Sequence, residues 1–118
     1  MKIMKITEII NILGCKVISG FDFIEDATID AAFSSDLMSD VLTLDSSRVL
    51  LITGLCNLQA IRTAEMADIK CILFVRDKKP TEEMIALAVE NDMVILQSSL
   101  SLFRVSGMLY QAGVQPVY

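Results

Sequence analysis

The chain has 118 residues and a net charge of −5, and hydrophobic residues make up 53% of it. A chain of this length forms about one domain, and so much apolar sequence excludes a disordered or low-complexity segment. The excess of acidic over basic residues argues against a nucleic-acid or anionic-membrane surface. Histidine is absent, which excludes Ser-His-Asp and Cys-His catalytic arrangements and removes the commonest zinc ligand.

The cysteines Cys15, Cys56 and Cys71 are odd in number and lack the C-x-x-C spacing of a zinc site. We therefore predict buried free thiols, with no metal and no cofactor. The amino terminus lacks the pattern of a signal peptide, and no apolar run approaches the ~18 residues of a membrane span. These features predict one domain over residues 1–118 in a reducing cytoplasm.

The first part of the chain predicts short elements separated by turns. An acidic loop over residues 22–26 follows the first predicted strand, and we expect Phe21, Phe23 and Ile24 to fold back onto the domain. The elements are a helix over 7–13 ended by Gly14, a strand over 16–19, a half-exposed strand over 28–33, and a helix over 36–44 capped by Ser34 or Ser35.

From residue 48 onward, apolar strands alternate with amphipathic helices. The strands span 48–53, 70–75 and 93–97, and the helices begin after Asn57, at Pro80 and after Ser98 or Ser99, ending near residues 67, 90 and 112. This alternation implies right-handed β-α-β crossovers. We predict an α/β fold of three layers, with a mostly parallel sheet flanked by helices and one antiparallel or edge strand.

Polar residues follow the predicted parallel strands at their carboxyl ends, where open α/β sheets usually bind ligands. Helix amino termini favour anions, so a phosphate or carboxylate could bind there. The same residue types also cap helices and form turns, and both readings stay open. The candidate residues for anion binding are Thr53, Gly54, Asn57, Arg76, Ser98 and Ser99. Neither G-x-x-x-x-G-K-[ST] nor G-x-G-x-x-G occurs, so no phosphate-binding loop or dinucleotide fingerprint is predicted.

The last predicted helix is apolar around most of its circumference. Such a helix in a small domain needs cover beyond its own sheet, unless it lies at the centre of the monomer. We predict a homodimer whose interface contains Phe103, Met108, Leu109 and Tyr110.

Several segments of the chain carry a resemblance to a known family. They are Leu50-Leu51-Ile52-Thr53-Gly54, Cys71-Ile72-Leu73-Phe74, the helix start Lys79-Pro80-Thr81-Glu82-Glu83, Val94-Ile95-Leu96 and the hydroxyl-capped last helix. In these features residues 36–118, and more loosely the whole chain, resemble a DRTGG domain, similar to the amino-terminal domain of HPr kinase/phosphorylase. The pentapeptide Asp-Arg-Thr-Gly-Gly itself does not occur, and the resemblance assigns no catalytic residue.

The resemblance implies a regulatory or dimerising element, because in the larger relatives the chemistry belongs to other domains. Such modules also occur in phosphotransacetylases and CBS-domain pyrophosphatases, and free-standing forms occur in anaerobes, some alongside iron-hydrogenase systems. We therefore expect a non-enzymatic homodimer that binds a protein partner or a small anion and serves anaerobic hydrogenase or energy metabolism. The alternative is a small enzyme that acts on a phosphorylated or acyl substrate at the carboxyl edge of the strands.

Overall fold

The computed structural model describes residues 3–44 and 48–118. The strands are β1 (Met4–Lys5), β2 (Lys16–Ser19), β3 (Thr28–Ile29), β4 (Ala31–Ser34), β5 (Val49–Thr53), β6 (Cys71–Phe74), β7 (Val94–Gln97) and β8 (Gln115–Pro116). The helices are α1 (Ile6–Leu13), α2 (Met38–Val41), α3 (Leu58–Met66), α4 (Glu82–Glu90) and α5 (Leu102–Gln111).

The main sheet has six strands in the order β2-β7-β6-β5-β4-β8. Strands β4 to β8 all run in the same direction. Strand β2 lies beside β7 and runs antiparallel to it. A separate two-stranded sheet joins β1 and β3. The predicted fold class is therefore confirmed, and β2 is the antiparallel edge strand.

Helices cover both faces of the main sheet. Helices α1 and α5 pack on one face, and α2, α3 and α4 pack on the other. Strands β5 and β6 are fully buried, as their continuous apolar sequence predicts for central parallel strands. Alternate residues serve the two cores, since Leu50 and Ile52 belong to the α1–α5 layer and Leu51 belongs to the other.

Three of the helices begin at a polar side chain that accepts a hydrogen bond from the backbone of the first turn. These capping residues are Asn57 for α3, Thr81 for α4 and Ser101 for α5. The predicted starts of α4 and α5 were wrong by a few residues. Pro80 precedes the cap of α4, and the hydroxyl of Ser98 instead accepts a hydrogen bond from the backbone N–H of Leu100.

The predicted strand over 28–33 is in fact two strands in two sheets, because the chain bends at Asp30. The guanidinium of Arg48 lies 3.0 Å from the carboxylate of Asp30 and also donates to the hydroxyl of Thr28. The backbone N–H of Asp30 donates to the carbonyl of Arg48 at 2.8 Å. These contacts hold the bend between β3 and β4.

The predicted second helix is shorter than its pattern indicated. It spans only Met38–Val41, and the hydroxyl of Ser35 accepts a hydrogen bond from the backbone N–H of Leu37. Part of the connection to β5, residues 45–47, lies outside the described residues. The expectation for the acidic loop was wrong for Phe21 and Phe23, which are exposed, and is confirmed for Ile24, which packs against the α1–α5 layer. Within the described ranges, no helix combines the length and apolar character needed to cross a membrane.

Candidate functional site

The carboxyl ends of β4, β5, β6 and β7 lie along one edge of the main sheet, because these strands are parallel. Strand β2 runs the other way, so its first residue, Lys16, pairs with Gln97 at the end of β7. This edge therefore contains the residues that the sequence predicted for anion binding, together with the amino-terminal end of β2.

At the end of β5, a carboxylate of the chain itself occupies the turn. Asp36 Oδ1 accepts a 2.7 Å hydrogen bond from the backbone N–H of Gly54 and a 2.9 Å hydrogen bond from the hydroxyl of Thr53. Thr53 is fully buried, and its oxygen also accepts a hydrogen bond from the N–H of Leu55. Two of the predicted anion-binding residues are thus bonded to an internal anion, Asp36, which the sequence reasoning had placed inside a helix.

Three further candidates also make hydrogen bonds within the chain. Asn57 caps α3, and the hydroxyl of Ser98 is bonded in the loop before α5. Arg76 and Asp77 have positive φ angles of 58° and 55°, and the backbone N–H of Arg76 donates to the carbonyl of Leu100 at 2.8 Å. The turn after β6 is therefore joined to the β7–α5 loop through the backbone, and the side chain of Arg76 is exposed.

The remaining candidate, Ser99, lines an open cavity of about 470 Å³ between the end of β7, the start of β2 and the turn after β6. We call it the Gln97 cavity, and its lining residues are Gly14, Lys16, Asp77, Lys79, Gln97 and Ser99. It brings two lysines and one aspartate together. Lys79 and Gln97 stand in the predicted strand-end segments but were not chosen as candidates. Lys16 was missed altogether, because it reaches this edge only through the antiparallel pairing of β2.

Gln97 is the unusual residue of this cavity. The residue is only 8% exposed, and its carboxamide makes no hydrogen bond with any residue in the described ranges. The carboxamide opens onto the cavity, where it is accessible to water. A carboxamide that is free to donate and to accept is therefore available to a molecule in the cavity.

The exposed surface of α5 contains two aromatic side chains. Phe103 is 88% exposed and Tyr110 is 69% exposed, and Gly107 lies between them on the same face of the helix. Met108 is half-buried against the α1–α5 core. Leu109 is 1% exposed, so the structure places it in the core of the monomer and corrects its assignment to an intermolecular interface.

The cysteines are free thiols, and none of them is activated. Burial raises the pKa of Cys15 to about 11 and raises the pKa of Cys71 further, because a thiolate is poorly solvated in the core. Burial also raises the pKa of the half-buried Cys56, and the charge of Lys78 partly offsets this effect. Among the described residues, no group of three or more acidic or cysteine side chains could hold a metal ion.

The fold and its polar edge define a mostly parallel, three-layer α/β domain with a ligand-sized cavity at the carboxyl ends of its strands. The sequence matches no protein-family model and no curated protein.

The structure is similar to a crystal structure of the CBS and DRTGG domains of the regulatory region of Clostridium perfringens pyrophosphatase, in complex with the activator diadenosine tetraphosphate. The TM-score is 0.74 at 15% sequence identity, and the alignment covers 94% of this chain and 47% of that chain. This chain thus matches about half of the other chain's length. The similarity supports a DRTGG-like fold.

Proposed function

We propose that this domain is a regulatory module that catalyses no reaction of its own, self-associates through α5 and binds a small anionic ligand at the carboxyl edge of its sheet. The observation that carries the proposal is the exposed aromatic face of α5. Large exposed apolar patches on a small domain mark interaction surfaces. The similar fold in a regulatory region crystallised with an activator supports the same class of function.

The geometry of α5 favours a second copy of the chain as the partner. Phe103, Gly107 and Tyr110 follow the i, i+4, i+7 spacing of one helix face, and nothing lies within 4 Å of the position where a Cβ on Gly107 would stand. Two antiparallel copies of α5 could therefore approach closely at Gly107, with the aromatic side chains on either side. Each aromatic residue buries roughly 150–250 Å² when covered, so four of them supply much of a stable interface.

Charge also permits this pairing, although the chain as a whole is acidic. Arg104 is the one charged residue of α5, so the helix contributes no acidic side chain to a symmetric contact. In an antiparallel pair, each Arg104 can lie over the ring of Tyr110 in the second copy, and the twofold symmetry repeats that contact.

The anionic ligand is the second part of the proposal. The ligand of the similar regulatory region carries phosphate groups. Four of the predicted anion-binding residues already make hydrogen bonds within the chain, namely Thr53, Gly54, Asn57 and Ser98. This supports a binding role for the Gln97 cavity, which Ser99 lines.

Sedimentation velocity at high micromolar concentration tests self-association. We expect a dimer for the wild-type chain and a monomer for Phe103→Glu, because a buried unpaired carboxylate is costly. Met66→Glu is the matched control, since Met66 is also well exposed but lies on α3, on the other side of the sheet. A wild-type monomer, or a Phe103→Glu variant that dimerises as well as the wild type, would refute the proposed interface.

The cellular setting is part of the proposal as well. Three free cysteines suit a reducing compartment such as the cytoplasm. The expected connection to anaerobic hydrogenase or energy metabolism, and the resemblance to HPr kinase/phosphorylase, stay predictions. Affinity capture from cell extract with the wild-type chain and the Phe103→Glu variant would identify protein partners that require the α5 face.

A further inference from the structure

We propose that the Gln97 cavity binds a small phosphate ester whose organic part carries hydrogen-bonding groups, such as a mononucleotide or a sugar phosphate. This inference rests on the ligand-binding part of the proposed function and specifies the ligand class and its site. Three observations carry it, namely the unpartnered carboxamide of Gln97, the charges at the rim of the cavity and the size of the cavity.

The carboxamide of Gln97 lies where the register of β7 would allow an apolar residue. Its partner on β6 is Phe74, and Ile95, two residues earlier in β7, lies on the same face of the sheet. All three residues are buried. The carboxamide makes no hydrogen bond with the described residues and opens onto the cavity, where it is accessible to water. A ligand that offers a donor and an acceptor to the carboxamide can replace that water.

The charged residues around the cavity select an anion. Lys16 and Lys79 line it, and the hydroxyl of Ser99 can donate a further hydrogen bond. Hydrogen bonds from ammonium groups to phosphate oxygens are among the stronger ones in proteins. The single acid, Asp77, repels a phosphate placed next to it but can accept a hydrogen bond from a hydroxyl group. A phosphate ester can place its phosphate near the lysines and its hydroxyl groups near Asp77, which keeps the phosphate away from the carboxylate.

The size of the cavity suits a mononucleotide or a sugar phosphate better than a free phosphate ion. Its volume of about 470 Å³ lies within the roughly 300–1,000 Å³ of typical small-molecule sites. A ligand of this size can contact the lysines and the carboxamide of Gln97 at the same time. Phosphate alone fills only a small part of this volume and makes fewer contacts, so we expect it to bind more weakly.

Isothermal titration calorimetry with the full chain tests the inference. The probes are adenosine monophosphate, ribose 5-phosphate, adenosine and inorganic phosphate. We expect at least one of the two phosphate esters to bind, and adenosine and inorganic phosphate to bind at least tenfold more weakly than that ester. Comparison of the two esters then shows whether the base contributes, which separates a nucleotide site from a sugar phosphate site.

Three variants locate the binding site. Lys79→Met and Gln97→Met should each weaken binding of the preferred ester about tenfold or more, because each removes hydrogen bonds to the ligand. Lys78→Met is the matched control, because Lys78 belongs to the same turn but lies outside the cavity lining, and its charge acts on Cys56. Lys79 is exposed, so its variant remains informative even if Gln97→Met fails to fold.

Two results would overturn the inference. One is that neither ester binds at millimolar concentration, and the other is that the Lys79→Met and Gln97→Met variants bind like the wild type. Self-association is measured independently by sedimentation of the Phe103→Glu variant. A chain that dimerises but binds no ester would refute the ligand site alone, and a monomer that binds an ester would refute the α5 interface alone.

Discussion

The carboxylate of Asp36 accepts a 2.9 Å hydrogen bond from the hydroxyl of Thr53, which joins the loop after β4 to the buried end of β5. The same carboxylate oxygen accepts the backbone N–H of Gly54. An external anion at this turn would meet the negative charge of Asp36. The protein thus provides its own anion at the end of β5, whereas the Gln97 cavity, at the end of β7, is open to a ligand.

Replacement of Asp36 by alanine should lower the free energy of unfolding. The change leaves the buried hydroxyl of Thr53 and the N–H of Gly54 without their acceptor, and a loss of this kind costs about 1–3 kcal/mol. Urea denaturation of Asp36→Ala measures the effect. Asp22→Ala serves as the control, since Asp22 is an exposed residue of the acidic loop, and an equal loss in both variants would contradict the bonding role of Asp36.

The stability of the protein should fall as the pH rises from about 9 towards 11. Burial raises the pKa of Cys15 from 9.0 to about 11, so in this range the unfolded chain releases a proton that the folded chain retains. The contribution of the thiol to stability is complete below pH 9.0 and is lost as the pH approaches the folded pKa. Urea denaturation at several pH values in this range should show that the free energy of unfolding declines less steeply for Cys15→Ala than for the wild type. Identical pH profiles for the wild type and the variant would show that Cys15 does not ionise as the structure indicates.

Two replacements of Gly107 should distinguish the effect of this residue on the stability of α5 from its effect on dimerisation. In the monomer a Cβ at this position meets nothing within 4 Å. Gly107→Ala should therefore stabilise α5 by roughly 0.5–1 kcal/mol, because alanine restricts the unfolded chain and favours helix. Gly107→Leu should fold as well as the wild type but dimerise more weakly, since the larger side chain holds the α5 helices of the two copies apart. Thermal unfolding and sedimentation measure the two effects, and an unchanged dimer in Gly107→Leu would place the contact elsewhere.

Adjacent residues of α5 should respond very differently to truncation. Leu109→Ala should cost about 2–5 kcal/mol, because the leucine is buried in the α1–α5 core. Tyr110→Ala should leave the stability of the monomer nearly unchanged, since the tyrosine is mostly exposed. Urea denaturation of both variants, made in the Phe103→Glu background to exclude dimer effects, checks the burial of the helix. Equal costs for the two substitutions would contradict it.

The central strands and their helices could be predicted from local sequence. Strand β6 is apolar throughout, and β5 and β7 are apolar except at their last residues, Thr53 and Gln97. Such segments form central parallel strands because both faces are covered. Asn57 was correctly predicted to cap α3, since the residues that it contacts are only three positions away. The fold class follows from the alternation of these elements, because connections between parallel strands require helices on the sheet faces.

The division of the chain near residue 30 could not be read from the sequence pattern. Thr28 to Phe33 alternate as one strand would, yet the ion pair of Asp30 with Arg48 and the pairing of β3 with β1 separate two strands. These partners lie far away along the chain. A period of two residues says which side chains share a face, but it does not say which neighbouring strand supplies the hydrogen bonds.

The amino-acid sequence by itself therefore determined the elements of the second half, the three-layer fold class and the polar carboxyl edge, because these depend on periodicity and on contacts within one turn. The tertiary structure alone decided which polar groups at that edge are free. Asp36, in the loop after β4, reaches Thr53 at the end of the neighbouring strand β5, and Lys16 reaches Gln97 only because β2 runs antiparallel to β7. The physical reason is that hydrogen-bond satisfaction and charge convergence depend on distances between residues that are remote in sequence.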